Sequence, residues 1–183
     1  MIVVEYKDVV INRRSVRSYI ERPVEEEKIQ YVLECARLAP SWVNRQCWRF
    51  IVVRDKDLIQ QISKTTIVNR WIKNVPVIIV ACADPNSSGV RNGINYYSVD
   101  VAIAMEHLIL AATDVGLGTC WIAGYSETKL KELLRIPNRI KVVAISPLGY
   151  STETPEFSDK TRKLILGGKK RKSLSEIVKY DQW

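Results

Sequence analysis

The run Arg13-Arg14-Ser15-Val16-Arg17-Ser18-Tyr19 places three guanidiniums and two serine hydroxyls in one short stretch near the N-terminus. In an extended segment alternate side chains point the same way. Arg13, Ser15 and Arg17 then share one side. Two guanidinium forks and a hydroxyl on one side match the oxygens of a phosphate. The same run also suits a solvated basic turn, and the motif alone leaves both readings open.

A second stretch, Ala39-Pro40-Ser41-Trp42-Val43-Asn44-Arg45-Gln46-Cys47-Trp48, offers Ser, Asn and Gln groups able to hydrogen-bond a heteroaromatic edge. It lies between a well-signalled helix and a strong strand, and loops fixed between rigid elements often bind ligands. A polar connection carrying two core tryptophans is the competing reading. Lys160-Thr161-Arg162 puts two cations at i and i+2, suited to an anion or to a solvated tail. Lys169-Lys170-Arg171-Lys172, beside Gly167-Gly168, reads as an exposed basic loop.

The four cysteines, Cys35, Cys47, Cys82 and Cys120, form no C-x-x-C pair, and the single His107 cannot complete a Cys/His zinc set. Cys35 and Cys82 sit in apolar patterns and read as ordinary buried thiols. His107, in an apolar helix, reads as structural. Neither a disulfide framework nor a metal site is expected.

These stretches need elements to hold them. Glu5 to Asn12 suits a short first helix. Pro23-Val24-Glu25-Glu26-Glu27 opens a second, because carboxylates in a first turn complement the helix dipole. Ile29, Val32, Leu33, Ala36 and Leu38 follow at helical spacing, and Pro40 ends it. Trp48 to Val53 is aromatic and β-branched, hence a strand. Asp55 to Lys73 suits a helix with Leu58, Ile59 and Ile62 inward.

Val75 to Cys82 is continuously apolar, as in a strand covered on both faces. Asp84 to Asn95 reads as a long loop. Tyr96 to Val115 forms the longest helix, apolar around most of its surface, and Gly116 and Gly118 stop it. A strand at Thr119 to Ile122, a helix at Glu127 to Leu134 and a strand at Ile140 to Leu148 follow. Ser173 to Tyr180 begins with a capping-box-like Ser-Leu-Ser-Glu and suits a short helix. The order gives an α/β or α+β layered domain of about four strands.

With 183 residues the chain fits one domain with a substantial core. The 28 Lys and Arg against 20 acidic residues leave a net charge of +8. Two compact basic clusters far apart in sequence suit a small anionic ligand better than a nucleic-acid stripe. No apolar stretch reaches bilayer length and Met1 to Asp8 is no signal peptide, so a cytoplasmic protein without membrane or nucleic-acid partners is expected.

Together these stretches resemble the nitroreductase family, from Arg13 to Trp183. Arg13 to Arg17 looks like the family's N-terminal FMN motif. Ala36 to Ser41, with Asn44, Gln46 and Trp48-Arg49-Phe50, is similar to its second block. Gly116 to Ile122 with Gly124 matches the third, and Lys160-Thr161-Arg162 sits where the family has a late basic pair. Trp42-Val43 stand where small residues are usual, Cys47 where Pro is common, and Ala123 at a frequently acidic position.

The resemblance implies a single nitroreductase-like domain over residues 1–183, α+β in class. Its central, mostly antiparallel sheet would be flanked by helices and completed by C-terminal exchange in a homodimer. Residues 163–183 would form a basic extension packing on the partner. Arg13, Lys160 and Arg162 would hold the FMN phosphate, helped by Ser15 and Arg14. Arg17 would lie near the pyrimidine end as an electrostatic stabiliser, with Asn69 or Arg70 at its edge. Pro40, Ser41 and Asn44 would come from the other subunit. Ile122, Ala123 and Gly124 would pass beside the ring and offer a backbone N–H.

The implied chemistry is ping-pong hydride transfer from NADH or NADPH through FMN to a small organic acceptor such as a nitroaromatic or quinone. No catalytic side chain is required, because the cofactor carries the reaction. The alternatives are dehalogenation or flavin breakdown on the same scaffold, or a basic nucleic-acid-binding module.

Overall fold

The computed structural model describes residues 5–152 and 171–183, in two compact units, Met1–Thr152 and Glu153–Trp183. In the first unit the helices are α1 (Tyr6–Asn12), α2 (Glu26–Arg37), α3 (Lys56–Thr65), α4 (Tyr96–Asp114) and α5 (Glu127–Leu134). The strands are β1 (Trp48–Val53), β2 (Val77–Ala83), β3 (Val90–Arg91), β4 (Ile94–Asn95), β5 (Gly118–Thr119) and β6 (Lys141–Gly149). In the second unit, residues Leu174–Ile177 form a single helical turn closed by a reciprocal Ser173–Glu176 capping box. That turn is shorter than the expected helix over Ser173 to Tyr180.

The main sheet has the order β1-β2-β6-β5 with every neighbouring pair antiparallel, in keeping with the α+β expectation. Central β2 is buried along its whole length, as its unbroken apolar run dictates. Val77, Ile79, Ala81 and Ala83 enter one core with Val32, Ala36, Ala104 and Leu108 from α2 and α4. Ile78, Val80 and Cys82 enter a second with Ile59 and Ile62 from α3 and Leu130 from α5. Each fully buried aliphatic side chain stabilises the fold by about 1.5–3 kcal/mol.

Three further expectations change. The helix predicted over Asp55 to Lys73 stops at Thr65, and a 3₁₀ turn, Arg70–Asn74, follows. The β-branched run Thr65-Thr66-Ile67-Val68 weakens the helix. Its backbone pairs instead with Gly124 to Ser126, through Ile67 N–H to Gly124 O at 3.1 Å and Ser126 N–H to Thr65 O at 2.8 Å. The expected loop from Asp84 to Asn95 contains the β3–β4 hairpin, turned by Asn92 and Gly93 at φ 51° and 76°. Asn-Gly is the standard residue pair for such a turn. The strand expected over Thr119 to Ile122 is cut to Gly118–Thr119 plus one bridge from Ile122 to Ile145.

Gly116, at φ 76°, closes α4, and Leu117 N–H returns to Ala112 O at 2.7 Å. The chain then enters β5 at the edge of the sheet, where the N-terminal basic run meets it.

Candidate functional site

The basic run crosses the edge of β5. Ser15 forms a parallel bridge with Thr119, and Val16 N–H donates to Thr119 O at 2.8 Å. Val16 is buried over Gly118, where any Cβ would lie 2.7 Å from a Val16 methyl. With Val16 inward, Ser15 and Arg17 turn outward, as alternation requires. Arg17 Nη1 lies 3.4 Å from Ser15 O. Arg13 caps the end of α1, half-buried, so the alternation begins just after it; Arg14 is exposed.

Tyr19 anchors this strip. Its hydroxyl donates to Val16 O at 2.9 Å, and burial, then Cys120, pushes its phenol well up while nearby Arg17 pulls the other way. Its ring stacks on Trp71, whose Nε1–H donates to Asn69 Oδ1 at 3.1 Å. Asn69 is thereby brought to the same corner as Arg17.

Cys120 to Gly124 completes the corner. Ile122 is committed to the sheet in both directions, donating to Ile145 O at 2.9 Å and accepting from Ile145 N–H at 3.0 Å. Of the three residues expected to offer a backbone N–H, Ile122 is therefore unavailable. Among the described residues, the N–H groups of Ala123 and Gly124 have no acceptor, and Ala123 is exposed. Gly124 O holds the Ile67 N–H, which ties this strap to the turn leading to Asn69.

Pro40, Ser41 and Asn44 lie elsewhere. They precede β1, whose Trp48 pairs with Ala83, and Ala83 pairs with Lys141 at the far end of β6. Thr119 pairs with Leu148, at the opposite end of β6 and on the opposite edge of the sheet. With strands about 4.8 Å apart and about 3.3 Å per residue, the corners are about 25 Å apart. One chain cannot bring both to one small ligand.

At this second corner the sequence reading missed Asp100. Only 2% exposed, it accepts from the Trp42 backbone N–H at 2.8 Å and from Ser88 Oγ at 2.8 Å, and Cys47 Sγ lies 3.5 Å away. Burial, then the negative charge of Asp100, pushes the Cys47 thiol up to about 12. The available signal was an acid flanked on both sides by apolar helix residues, Val99-Asp100-Val101. Tyr19 and Trp71 were also missed, since isolated aromatics in a sequence read as core. Cys82 is buried as expected, whereas Cys35 is partly exposed and His107 Nδ1 lies 3.3 Å from Cys35 O.

Lys160 and Arg162, with Thr161, Lys169 and Lys170, lie outside the described residues. Among the described residues no helix is long and apolar enough to cross a membrane.

The model of the nitroreductase family matches residues 10–69 and 63–150. A protein of Archaeoglobus fulgidus provisionally named NADH dehydrogenase/NAD(P)H nitroreductase is 36% identical over 152 residues, 81% of this chain and 86% of that one. The FMN reductase [NAD(P)H] of Bacillus subtilis is 32% identical over 159 residues, 78% of this chain and 64% of its own. An FMN-dependent nitroreductase structure from Clostridium difficile R20291 is 31% identical, with a TM-score of 0.73 over 85% of this chain and 94% of that one. The chain belongs to the nitroreductase family.

Proposed function

We propose that the chain is an FMN-dependent NAD(P)H oxidoreductase that works as a homodimer with flavin between the subunits. The observation that carries this reading is the pair of corners on opposite ends and edges of the sheet. One presents Arg14, Ser15, Arg17, Asn69 and the open N–H groups of Ala123 and Gly124. The other presents the exposed loop of Pro40 and Asn44, with half-buried Ser41. A second copy supplies the missing half.

These residues fit FMN. Arg13 would hold the phosphate, and Ser15 and Arg14 would support it with donors suited to phosphate oxygens. Arg17 sets a positive charge at the pyrimidine end. The open N–H groups of Ala123 and Gly124 suit the ring's hydrogen-bond acceptors, and this narrows the three-residue strap to two donors. Pro40, Ser41 and Asn44 of the partner cover the other side. Bound there, FMN would supply two-electron hydride chemistry, from NADH or NADPH to a small organic acceptor in a ping-pong cycle. The chain's own part is to bind, orient and exclude water, and this reading calls on no acid–base dyad.

The test uses purified full-length protein. It is expected to take up one FMN per chain as a dimer, and to bleach anaerobically with NADH or NADPH. A protein that takes up no FMN overturns the reading.

A further inference from the structure

Val43, Asn44 and Gln46, three non-glycine residues within four positions, hold φ of 47°, 53° and 51°. This left-handed region crowds Cβ against the carbonyl oxygen, most severely for β-branched Val43. Such a conformation persists only where its surroundings over-determine it. Within the loop, Gln46 N–H donates to Ser41 Oγ at 2.9 Å and Gln46 Nε2 to Asn44 Oδ1 at 3.1 Å, both in exposed positions. Exposed bonds of this kind exchange readily with water and add little net stability.

The firm attachment is Asp100 in α4. Its carboxyl group receives the Trp42 N–H at one end of the loop and faces the Cys47 thiol at the other. Ser88 Oγ, at the entry to the β3–β4 hairpin, donates to the same oxygen that faces Cys47. One side chain thus joins both ends of a strained loop to a hairpin and to the longest helix. The Trp42 indole is wedged as well, 4.3 Å from the Tyr96 ring and so close to Gly89 that a Cβ there would lie 2.5 Å from it. A buried polar group amid apolar neighbours is costly unless hydrogen-bonded, and an aliphatic residue would suit the packing alone. The attachment leaves Val43 and Asn44 exposed at the loop's apex, and Val43 is 77% exposed.

We propose that Asp100 is a positioning residue for the flavin site of the neighbouring subunit, holding the Ser41–Gln46 loop in the left-handed shape that presents Ser41 and Asn44 across the dimer. This rests on the dimeric flavin reading above. Asp100 itself touches neither flavin nor substrate. It acts through the loop, so its removal should be offset by making the loop's backbone shape easier to adopt. Glycine populates positive φ readily, and Val43→Gly provides that relief.

The experiment compares full-length wild type, Asp100→Leu, Asp100→Asn, and each variant combined with Val43→Gly. Amide hydrogen exchange over residues 41–47 and FMN affinity by flavin fluorescence are both measured. Asp100→Leu is expected to speed exchange in this segment at least tenfold while the β2 and β6 amides keep their rates, and to weaken FMN binding at least tenfold. Asp100→Asn, whose amide oxygen still accepts from Trp42, is expected to lose less and serves if the leucine variant fails to fold. Val43→Gly is expected to recover at least threefold of the lost affinity in either background. Wild-type FMN affinity in both Asp100 variants would overturn the proposal. So would a loss of affinity that Val43→Gly leaves untouched, because damage to the core would then explain it. Wild-type protein that binds no FMN would instead overturn the functional reading, and unchanged exchange over 41–47 would remove the tether independently.

Discussion

The ring of Tyr19 lies parallel to the indole of Trp71, with centroids 6.1 Å apart and planes 5° from coplanar. The strip carrying Arg17 and the turn carrying Asn69 therefore share one aromatic pair. With its Oδ1 accepting from Trp71, Asn69 is left to offer its amide hydrogens outward. Trp71→Phe keeps a ring for stacking and removes the N–H. FMN affinity is expected to fall by about 3- to 10-fold, matching one hydrogen bond of about 0.5–1.5 kcal/mol. Fluorescence titration checks this, and an unchanged dissociation constant would show that Trp71 does not orient Asn69.

The proposed site gives Arg17 and Arg13 separable roles. Losing a charge-assisted contact at the pyrimidine end, worth about 1.5–3 kcal/mol in the reduced state, lowers a two-electron midpoint potential by about 30–60 mV. Arg17→Ala is expected to show that shift, and Arg17→Lys to recover part of it. Arg13→Ala, at the phosphate, should weaken FMN binding with little change in potential. Spectroelectrochemistry of the loaded protein distinguishes them, and an unshifted potential in Arg17→Ala rules out its role.

Gly118 determines how closely the basic run approaches β5. In Gly118→Ala the new methyl would lie 2.7 Å from a Val16 methyl. Overpacking of this kind costs about 1–3 kcal/mol. A chain of this size should lose about 3–10 °C in Tm. Adding Val16→Ala removes both methyl contacts but keeps the Val16 Cβ, 2.8 Å from the new methyl, so it should restore only part of the loss. Thermal denaturation of both variants decides it, and a Gly118→Ala protein with native Tm would mean that the strip can move away freely.

Acid stability has a local contributor at Glu25. Chiefly through the Tyr150 hydroxyl, its carboxyl is pulled from 4.5 to about 2. Lys28 Nζ supports that hydroxyl at 2.9 Å, and the Arg22 guanidinium lies 4.2 Å from the Tyr150 ring centre. Because the folded value is depressed, this contribution is present above the unfolded value of 4.5 and fades as pH falls towards about 2. Tyr150→Phe should lower Tm near neutrality and converge with wild type at about pH 2. A Tm difference that persists undiminished in acid would show that Tyr150 acts through packing alone.

Local chemistry made much of the fold legible. Strand β1 and helix α5 match the expected Trp48–Val53 and Glu127–Leu134, because composition and periodicity agree with burial there. The third helix was overextended because its inward isoleucines mask the β-branched run after Thr65, whose partners lie some sixty residues onward in Gly124 to Ser126. The hairpin at Asn92-Gly93 was legible from its turn pair, although polar neighbours made it resemble plain loop. The outward alternation of Ser15 and Arg17 was readable from the strip itself. Asp100 was not, because its partners Trp42, Cys47 and Ser88 meet only in three dimensions.

The separation of Thr119 from Trp48 along and across the sheet also bears on stoichiometry. In the proposed dimer each chain carries one half of two sites rather than the whole of one. Cofactor capture and subunit pairing then become a single linked equilibrium, in which each ligand raises the apparent strength of the other. Dilution should release FMN even at fixed FMN concentration, and excess FMN should hold dimers together at protein concentrations where they otherwise part. The flavin that stays with the chain after the free cofactor is removed would thus report how many chains have found a partner.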